Sequence, residues 1–523
     1  MSEWLERSRK YTVTDKASGF SIAFAGMKFT DSDIASMAAK FEKAANGMKM
    51  IEAGEIKNPD EQRKVTHFTD RVSYPESKLF ADVEAFAEDV RSGKVCGSTG
   101  KKFEALVVNG IGGSALGPQL MQFAINGPYW NELNSDARRG YLKIYFLDNT
   151  DSAEFTDLLA VMDPEVTLQL VISKSGGTRE TKNNMIAMED FYAAKNLDFA
   201  RHAVAITMDG SQLDQHAKGN NWLRVFEMAD SIGGRTSETS IVGHVPAALT
   251  GIDFKSFLSG ACAMDEWTRE SDALKNPAMM LSAMWYIAGQ GKGDRNMVIV
   301  PYSDRLVLLS RYLQQLVMES LGKELDLDGN KVYQGLNVFG NKGGTDAHAF
   351  IQQLNDGRDD FFATFIEVLK DSARLDMGDG VAIGDYLHGF LEGLSAALLG
   401  KGRQIITVRV PELNVFTLGQ IIALYERAVA MYAEYININA FHQPGVQAYK
   451  LAANGVLELG SAVRAKIAEL SSWQGCACEF AKLIDREDDT VVIAGLLDKA
   501  ALNGSKVTRE FSVERNTWIY GIK

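Results

Sequence analysis

Cysteine is scarce in this chain: four in 523 residues, at Cys96, Cys262, Cys476 and Cys478. Cys476 and Cys478 are one residue apart, and no second pair completes the spacing of a zinc site. All four read as reduced thiols of a cytoplasmic protein. Long apolar runs are missing too. No stretch approaches the roughly 20 residues that span a bilayer, and the start, MSEWLERSRKY, is charged from its third residue and lacks an apolar signal core. Nor is there an excess of positive charge. With 55 Lys and Arg against 68 Asp and Glu, the net charge of -13 argues against nonspecific binding to nucleic acid or acidic membranes. An anionic substrate held by a local cluster of donors stays open. Low-complexity segments and short repeats are absent.

What is there is ordinary for a soluble globular protein, 46% apolar and 24% charged residues, in a chain too long for one simple core. Residues 1–100 are mainly helical in period. Asp31 to Met50 carries apolar positions three and four apart, with Ser32 or Asp33 as its expected cap. Strand–helix alternation then begins: Ala105 to Val108, Leu142 to Leu147, Thr167 to Ile172 and Ala203 to Thr207 are apolar strands, each followed by a helical pattern. A helical stretch spans about Ser237 to Gln290. Alternation restarts with Met297 to Pro301, a helix from about Arg305 to Ser320, Tyr333 to Phe339, and Ile405 to Val410. Short apolar runs alternating with amphipathic helices indicate parallel strands covered on both faces. The fold expected is α/β, with two doubly wound parallel-sheet lobes at 101–290 and 291–470, divided near Gly291 to Arg295. A tail, 471–523, holds two helical segments near Cys478 and Val492 and a hairpin ending at Tyr520.

In doubly wound sheets ligands bind beyond the carboxyl ends of the strands. Two glycine turns sit there: NGIGGSALGP, Asn109 to Pro118, and VISKSGGTRET, Val171 to Thr181. Each precedes a helix whose unpaired N–H groups and dipole favour an anion. Ser114, Ser173, Ser175, Thr178 and Thr181 add hydroxyl donors. The first turn also meets the loose dinucleotide pattern G-x-G-x-x-G/A, which is weak alone. No strand ends in the acidic residue expected about 20 positions later to hold a ribose. The hydroxyls of the second turn suit a single phosphate. Read singly, each is an ordinary strand-to-helix turn; in consecutive units of one sheet they favour a phosphorylated small molecule.

Four further segments carry proton chemistry. IGGRTSE holds Gly234 and Arg235 before a helix, VMESLGKELD holds Glu319 near the end of an apolar helical run, GGTDAHAF holds His348, and FHQPGVQAYK holds Gln443 and Lys450 seven residues apart. Each also reads plainly as a solvated or structural polar residue. Assembled, they form a carboxylate base, an imidazole, a cation for a developing oxyanion and an amide to orient a hydroxyl. That set suits proton abstraction next to a carbonyl.

Six motifs, GIGGSALGP, SKSGGTRET, GGRTS, MESLGK, GTDAHAF and QPGVQAYK, closely resemble those of the phosphoglucose isomerase family, in that family's order and at about its spacings, over roughly Asn58 to Leu451. The resemblance implies two sugar-isomerase lobes and a homodimer whose active site takes a histidine from the partner. It implies interconversion of glucose 6-phosphate and fructose 6-phosphate, a step of glycolysis and gluconeogenesis, with no metal and no cofactor. By motif, Gly113, Ser114, Ser173, Lys174, Ser175 and Thr178 match the phosphate and substrate loops. Glu319 matches the base that carries a proton between C1 and C2, and Arg235 the stabiliser of the enediolate. His348 and Lys450 match the ring-opening residues, Glu180 the carboxylate that orients the histidine, and Gln443 a substrate-contacting amide. An isomerase that also accepts mannose 6-phosphate and a non-catalytic sugar-phosphate sensor are the alternatives; Glu319, His348, Lys450 and Arg235 speak against the sensor. His442 and Gln447 stand where related bacterial enzymes usually carry aspartate and glutamate, and Gly176, Gly177 and Arg179 replace bulkier or neutral residues of longer family members.

Overall fold

The computed structural model describes residues 2–378 and 380–523. The chain divides into two compact units, one ending at His442 and one running from Gln443 to Lys523.

The first unit holds two sheets. Ala105–Asn109, Thr167–Ile172 and Ala203–Thr207 are buried along their whole lengths, as expected of parallel strands covered on both faces. With Lys143–Leu147 and Arg224–Glu227 they form a five-stranded parallel sheet, in the spatial order Lys143–Leu147, Ala105–Asn109, Thr167–Ile172, Ala203–Thr207, Arg224–Glu227. The order reverses direction between the second and third of these strands. That is the topological switch point, where such sheets bind ligands.

The second sheet has six strands, four of them parallel: Val338–Phe339, Asn296–Tyr302, Phe361–Val368 and Gln404–Val410. The remaining two, Thr12–Thr14 and Ser21–Ala23, come from the first hundred residues and add an antiparallel edge beside Gln404–Val410. The N-terminal region is thus not wholly helical, and part of it completes a sheet built almost 400 residues later. Phe361–Val368, FFATFIEV, is a central strand that the periodicity does not mark. It is an apolar run without alternation, and period alone does not separate a fully buried strand from a buried helix. Tyr333 to Phe339 is not one strand. Lys331–Gln334 pairs with Lys323–Leu325 in a hairpin, and only Val338–Phe339 reaches the sheet.

The helical expectations at 31–50 and 305–320 also resolve into shorter pieces. Asp31–Ser36 and Ala38–Glu52 are separate helices, and the cap is Thr30, in a reciprocal box with Asp33, rather than Ser32. Thr30 wins because its hydroxyl reaches the Asp33 amide while the Asp33 carboxylate reaches back to the Thr30 amide. The later segment is a short α-helix, Leu309–Leu313, that widens into a π-helical turn over Gln314–Glu319.

In the second unit the last half of helix Pro444–Glu469 buries Leu459, Val463 and Ile467 against Phe480, Ile493, Leu497 and Tyr520. This packing explains why the division falls at 442/443 and not at 470. A three-stranded antiparallel sheet, with Thr517–Ile522 between Trp473–Cys476 and Val507–Ser512, and helices Ala477–Lys482 and Thr490–Asn503 complete it.

Candidate active site

The two glycine turns leave the same end of the first sheet. Asn109 lies opposite Val171 in parallel register, so Gly110–Ser114 and Ser173–Thr178 emerge side by side at the switch point. The second turn is built from its own hydroxyls. Ser173, buried, donates to Thr178 Oγ1 at 3.1 Å, and the Gly177 amide donates to Ser175 Oγ at 3.2 Å. Thr207 Oγ1 donates to the Ser173 carbonyl at 2.7 Å and ties the turn to the neighbouring strand. Gly176 has φ +69°, and a side chain there would overlap the Leu213 amide, so glycine is required twice over. Ser173, Gly176 and Thr178 line a pocket of about 100 Å³ with Thr181, Leu213 and His216. Helix Arg179–Ala194 starts immediately after Thr178 and aims its first N–H groups at the turn.

Lys174 turns away from the hydroxyls toward the neighbouring segment. Its ammonium donates to the carbonyls of Asp230 and, at 2.9 Å, Ile232, and so clamps the hydroxyl turn to the segment leading into Gly234 and Arg235. Burial, reinforced by Arg63 and opposed by Asp230, lowers its pKa to about 8.

Gly113 and Gly234 join the first turn to that same segment. A methyl on Gly113 would overlap the Gly234 carbonyl, and Ser237 Oγ donates to the Gly113 carbonyl at 3.2 Å. The close approach fixes the one-turn helix Gly234–Thr236 and places Arg235 against Glu319 and Ser320. Arg235 Nε meets Glu319 Oε2 at 3.1 Å. Its other nitrogens reach Ser320 Oγ at 3.3 Å, the Ala440 carbonyl at 2.6 Å and the His442 carbonyl at 3.3 Å. The Arg235 side chain is 6% exposed and that of Glu319 21%, so the cation is held rigid while the carboxylate keeps an open side. Burial lowers the guanidinium's pKa and Glu319 opposes the shift; a guanidinium stays charged even so. Glu319 is the last residue of the π-helical turn. Such turns are rare, frequently mark functional sites, and re-aim a side chain by one position.

The structure therefore brings Gly113, Ser114, Gly234, Arg235 and Glu319 together from segments that follow strands of both sheets. His348 ends a one-turn helix, Thr345–His348, with its ring exposed, and Glu180 is half-buried in the first turn of helix Arg179–Ala194. Among the described residues, no hydrogen bond links the two within the chain. Gln443 precedes helix Pro444–Glu469 and Lys450 is exposed on it; both belong to the second unit.

Sequence reasoning missed two groups beside this cluster. Lys323 is 4% exposed, and its ammonium donates to the carbonyls of Glu319 at 2.7 Å and Ser320 at 2.8 Å. Asp60 pairs with His442 Nε2 at 3.4 Å. Lys323 lies inside the quoted MESLGK motif, so the signal was present without a role attached. Nothing local marks Asp60.

The sequence pattern of the phosphoglucose isomerase family matches residues 34–404. The chain belongs to that family. Among its relatives, a glucose-6-phosphate isomerase of Geobacter sulfurreducens is 45% identical over 515 residues, covering 96% of this chain and 95% of that one. A glucose-6-phosphate isomerase of Nostoc punctiforme is 47% identical over 471 residues, with 88% and 87% covered. The crystal structure of a glucose-6-phosphate isomerase from Chlamydia trachomatis superposes with a TM-score of 0.77 at 27% identity, over 88% of this chain and 92% of that one. The α/β architecture with parallel sheets is shared with that structure.

Proposed function

We propose that this chain is a glucose-6-phosphate isomerase, an intramolecular aldose–ketose isomerase that interconverts glucose 6-phosphate and fructose 6-phosphate. The observation that carries the reading is the Arg235–Glu319 contact at 3.1 Å, formed where the two glycine turns meet the second lobe.

The chemistry follows from these residues. Ser173, Ser175 and Thr178, with the N-terminus of helix Arg179–Ala194, replace the water that solvates the phosphate, and Gly113 and Ser114 hold the sugar beside them. Binding energy from the nonreacting phosphate then positions C1 and C2. The ring opens by moving a proton from the anomeric hydroxyl to the ring oxygen, the task assigned to His348 and Lys450, with Glu180 orienting the histidine. Glu319 takes the proton from C2 of the open aldose. The electron pair moves to form the C1–C2 double bond, and the negative charge on oxygen is stabilised by Arg235. The hydroxyl proton passes from O2 to O1, and Glu319 returns its proton to C1 to give the ketose. Gln443 orients a substrate hydroxyl.

The same reading makes the protein a cytoplasmic homodimer with no metal, its active site completed by the partner's histidine. The exposed ring of His348 supports this, as does the exposed apolar stripe Ile383, Tyr386 and Phe390 on helix Ile383–Gly400. No helix among the described residues is long and apolar enough to cross a membrane.

A coupled assay with each hexose 6-phosphate, run with and without EDTA, tests the reading. Turnover of glucose 6-phosphate unaffected by EDTA is expected. Equal turnover of mannose 6-phosphate would widen the assignment to a dual isomerase, and no turnover of either would overturn it.

A further inference from the structure

Three charged side chains meet at the π-helical turn, Glu319, Arg235 and a third, and only Glu319 and Arg235 have a place in the chemistry above. The third is Lys323, on the strand Lys323–Leu325 just beyond the turn. Its ammonium is buried and spends its donors on two consecutive main-chain carbonyls, those of Glu319 and Ser320. A helix leaves its last carbonyls without internal partners, and a cation there answers both their hydrogen bonding and the negative end of the dipole. The same two residues present their side chains to Arg235, Glu319 through Oε2 and Ser320 through Oγ. Lys323 thus braces from the main-chain side what Arg235 holds from the side-chain side.

We propose that Lys323 is a positioning residue: by pinning the carbonyls of Glu319 and Ser320 it fixes the Glu319 carboxylate at the place where it exchanges a proton with the substrate carbon. The inference rests on Glu319 being the base. The groups facing Lys323 are Arg235 from the loop at 234–236, Glu319 from its own turn, Asp60 from the segment 59–61 and His442. Burial, with help from Arg235 and against Glu319 and Asp60, draws the ammonium down to about 7. The neutral amine keeps two N–H donors, so deprotonation weakens the brace without dismantling it.

The test is kinetic. Misplacing a reacting group by about 1 Å can cost about 10²-fold, so Lys323→Met should lower kcat roughly 10- to 100-fold while KM changes less than about threefold. The loss should vanish in the Glu319→Gln background, where there is no carboxylate left to position; a merely structural lysine would cost the same in both backgrounds. The kcat of the unsubstituted enzyme should show an alkaline limb below the range of an ordinary lysine. Lys323→Arg, which keeps a charge that does not titrate, should retain most of kcat and lose the limb. If Lys323→Met does not fold, the limb and the arginine variant still decide the matter. A wild-type kcat level from pH 6 to 10, or additive losses in the double variant, overturns the proposal. Glu319→Gln with near wild-type turnover would instead sink the base assignment itself. A collapse of Glu319→Gln beside an unimpaired Lys323→Met would sink only the role of Lys323.

Discussion

The hydroxyl turn at 173–178 and the charged cluster around Arg235 and Glu319 solve opposite problems. The turn is local. Its donors come from six consecutive residues, its bonds run between Ser173 and Thr178 and between Gly177 and Ser175, and Ser175 is exposed to solvent. The cluster is assembled over long range. Arg235 and Glu319 are 84 positions apart, and Arg235 reaches a carbonyl 205 positions away. On the proposed function, the turn's hydroxyls would offer many weak, interchangeable donors to a dianion that does not react, and the cluster one buried cation and one base to the atoms that do. A site of this kind separates binding from chemistry by separating neutral, partly hydrated donors from desolvated charges.

If that contrast holds, substitutions on the two sides should differ in kind as well as in size. The largest effect outside Glu319 belongs to Arg235. Arg235→Met removes the donor aimed at the developing oxyanion and should lower kcat by roughly 10²–10³-fold, with a smaller change in KM; steady-state kinetics beside an unfolding scan separates this from loss of fold. A fall in affinity alone would erase the distinction between the two regions.

Next come Ser173→Ala, Ser175→Ala and Thr178→Ala. Each removes one bond to a charged oxygen, worth about 1.5–3 kcal/mol, and so should raise KM and weaken inhibition by inorganic phosphate in parallel, with kcat less affected. Fluorescence or calorimetric titration with a sugar phosphate checks it. Normal binding by all three variants would reduce the turn to a strand connector.

The smallest effect sharpens the boundary of the cluster. Burial holds the imidazole of His442 below its ordinary pKa; Asp60 opposes this and Lys323 and Arg235 add to it. As pH falls below about 6.5, the unfolded chain therefore binds more protons than the folded one. Stability rises with pH through that window and is lost below it. His442→Gln should lessen the acid-side loss, visible as a shallower fall in unfolding midpoint between pH 6.5 and 5. An unchanged slope would mean that His442 does not contribute.

The same contrast explains what was legible in the sequence. Thr167–Ile172 and Ala203–Thr207 were readable to the residue because parallel buried strands are short apolar runs ending in turn signals. The glycine turns were readable because a strand-to-helix turn is a local property of its glycines and hydroxyls. Phe361–Val368 was not readable, since a fully buried run carries no period, and the strands Thr12–Thr14 and Ser21–Ala23 acquire a sheet only from distant residues. At the site, the residue types of Arg235 and Glu319 were evident, but their contact depends on the close approach of Gly113 to Gly234. The contacts of Lys323 and Asp60 arise only from tertiary packing, and the π-helical turn that presents Glu319 has no sequence signature that separates it from an ordinary helix end.

The central claim is that Glu319 moves the proton and the hydroxyl turn only binds. Glu319→Gln keeps the size of the side chain and removes its basicity, and general-base catalysis is typically worth about 10²–10⁴-fold. The direct measurement is exchange of the C2 hydrogen of glucose 6-phosphate with deuterated solvent, followed by NMR, together with the affinity for the same sugar phosphate. The account predicts that exchange and isomerisation fall together by at least about 10²-fold while affinity stays within a few-fold of the parent enzyme. Exchange at near the parent rate would show that another group carries the proton and would contradict it.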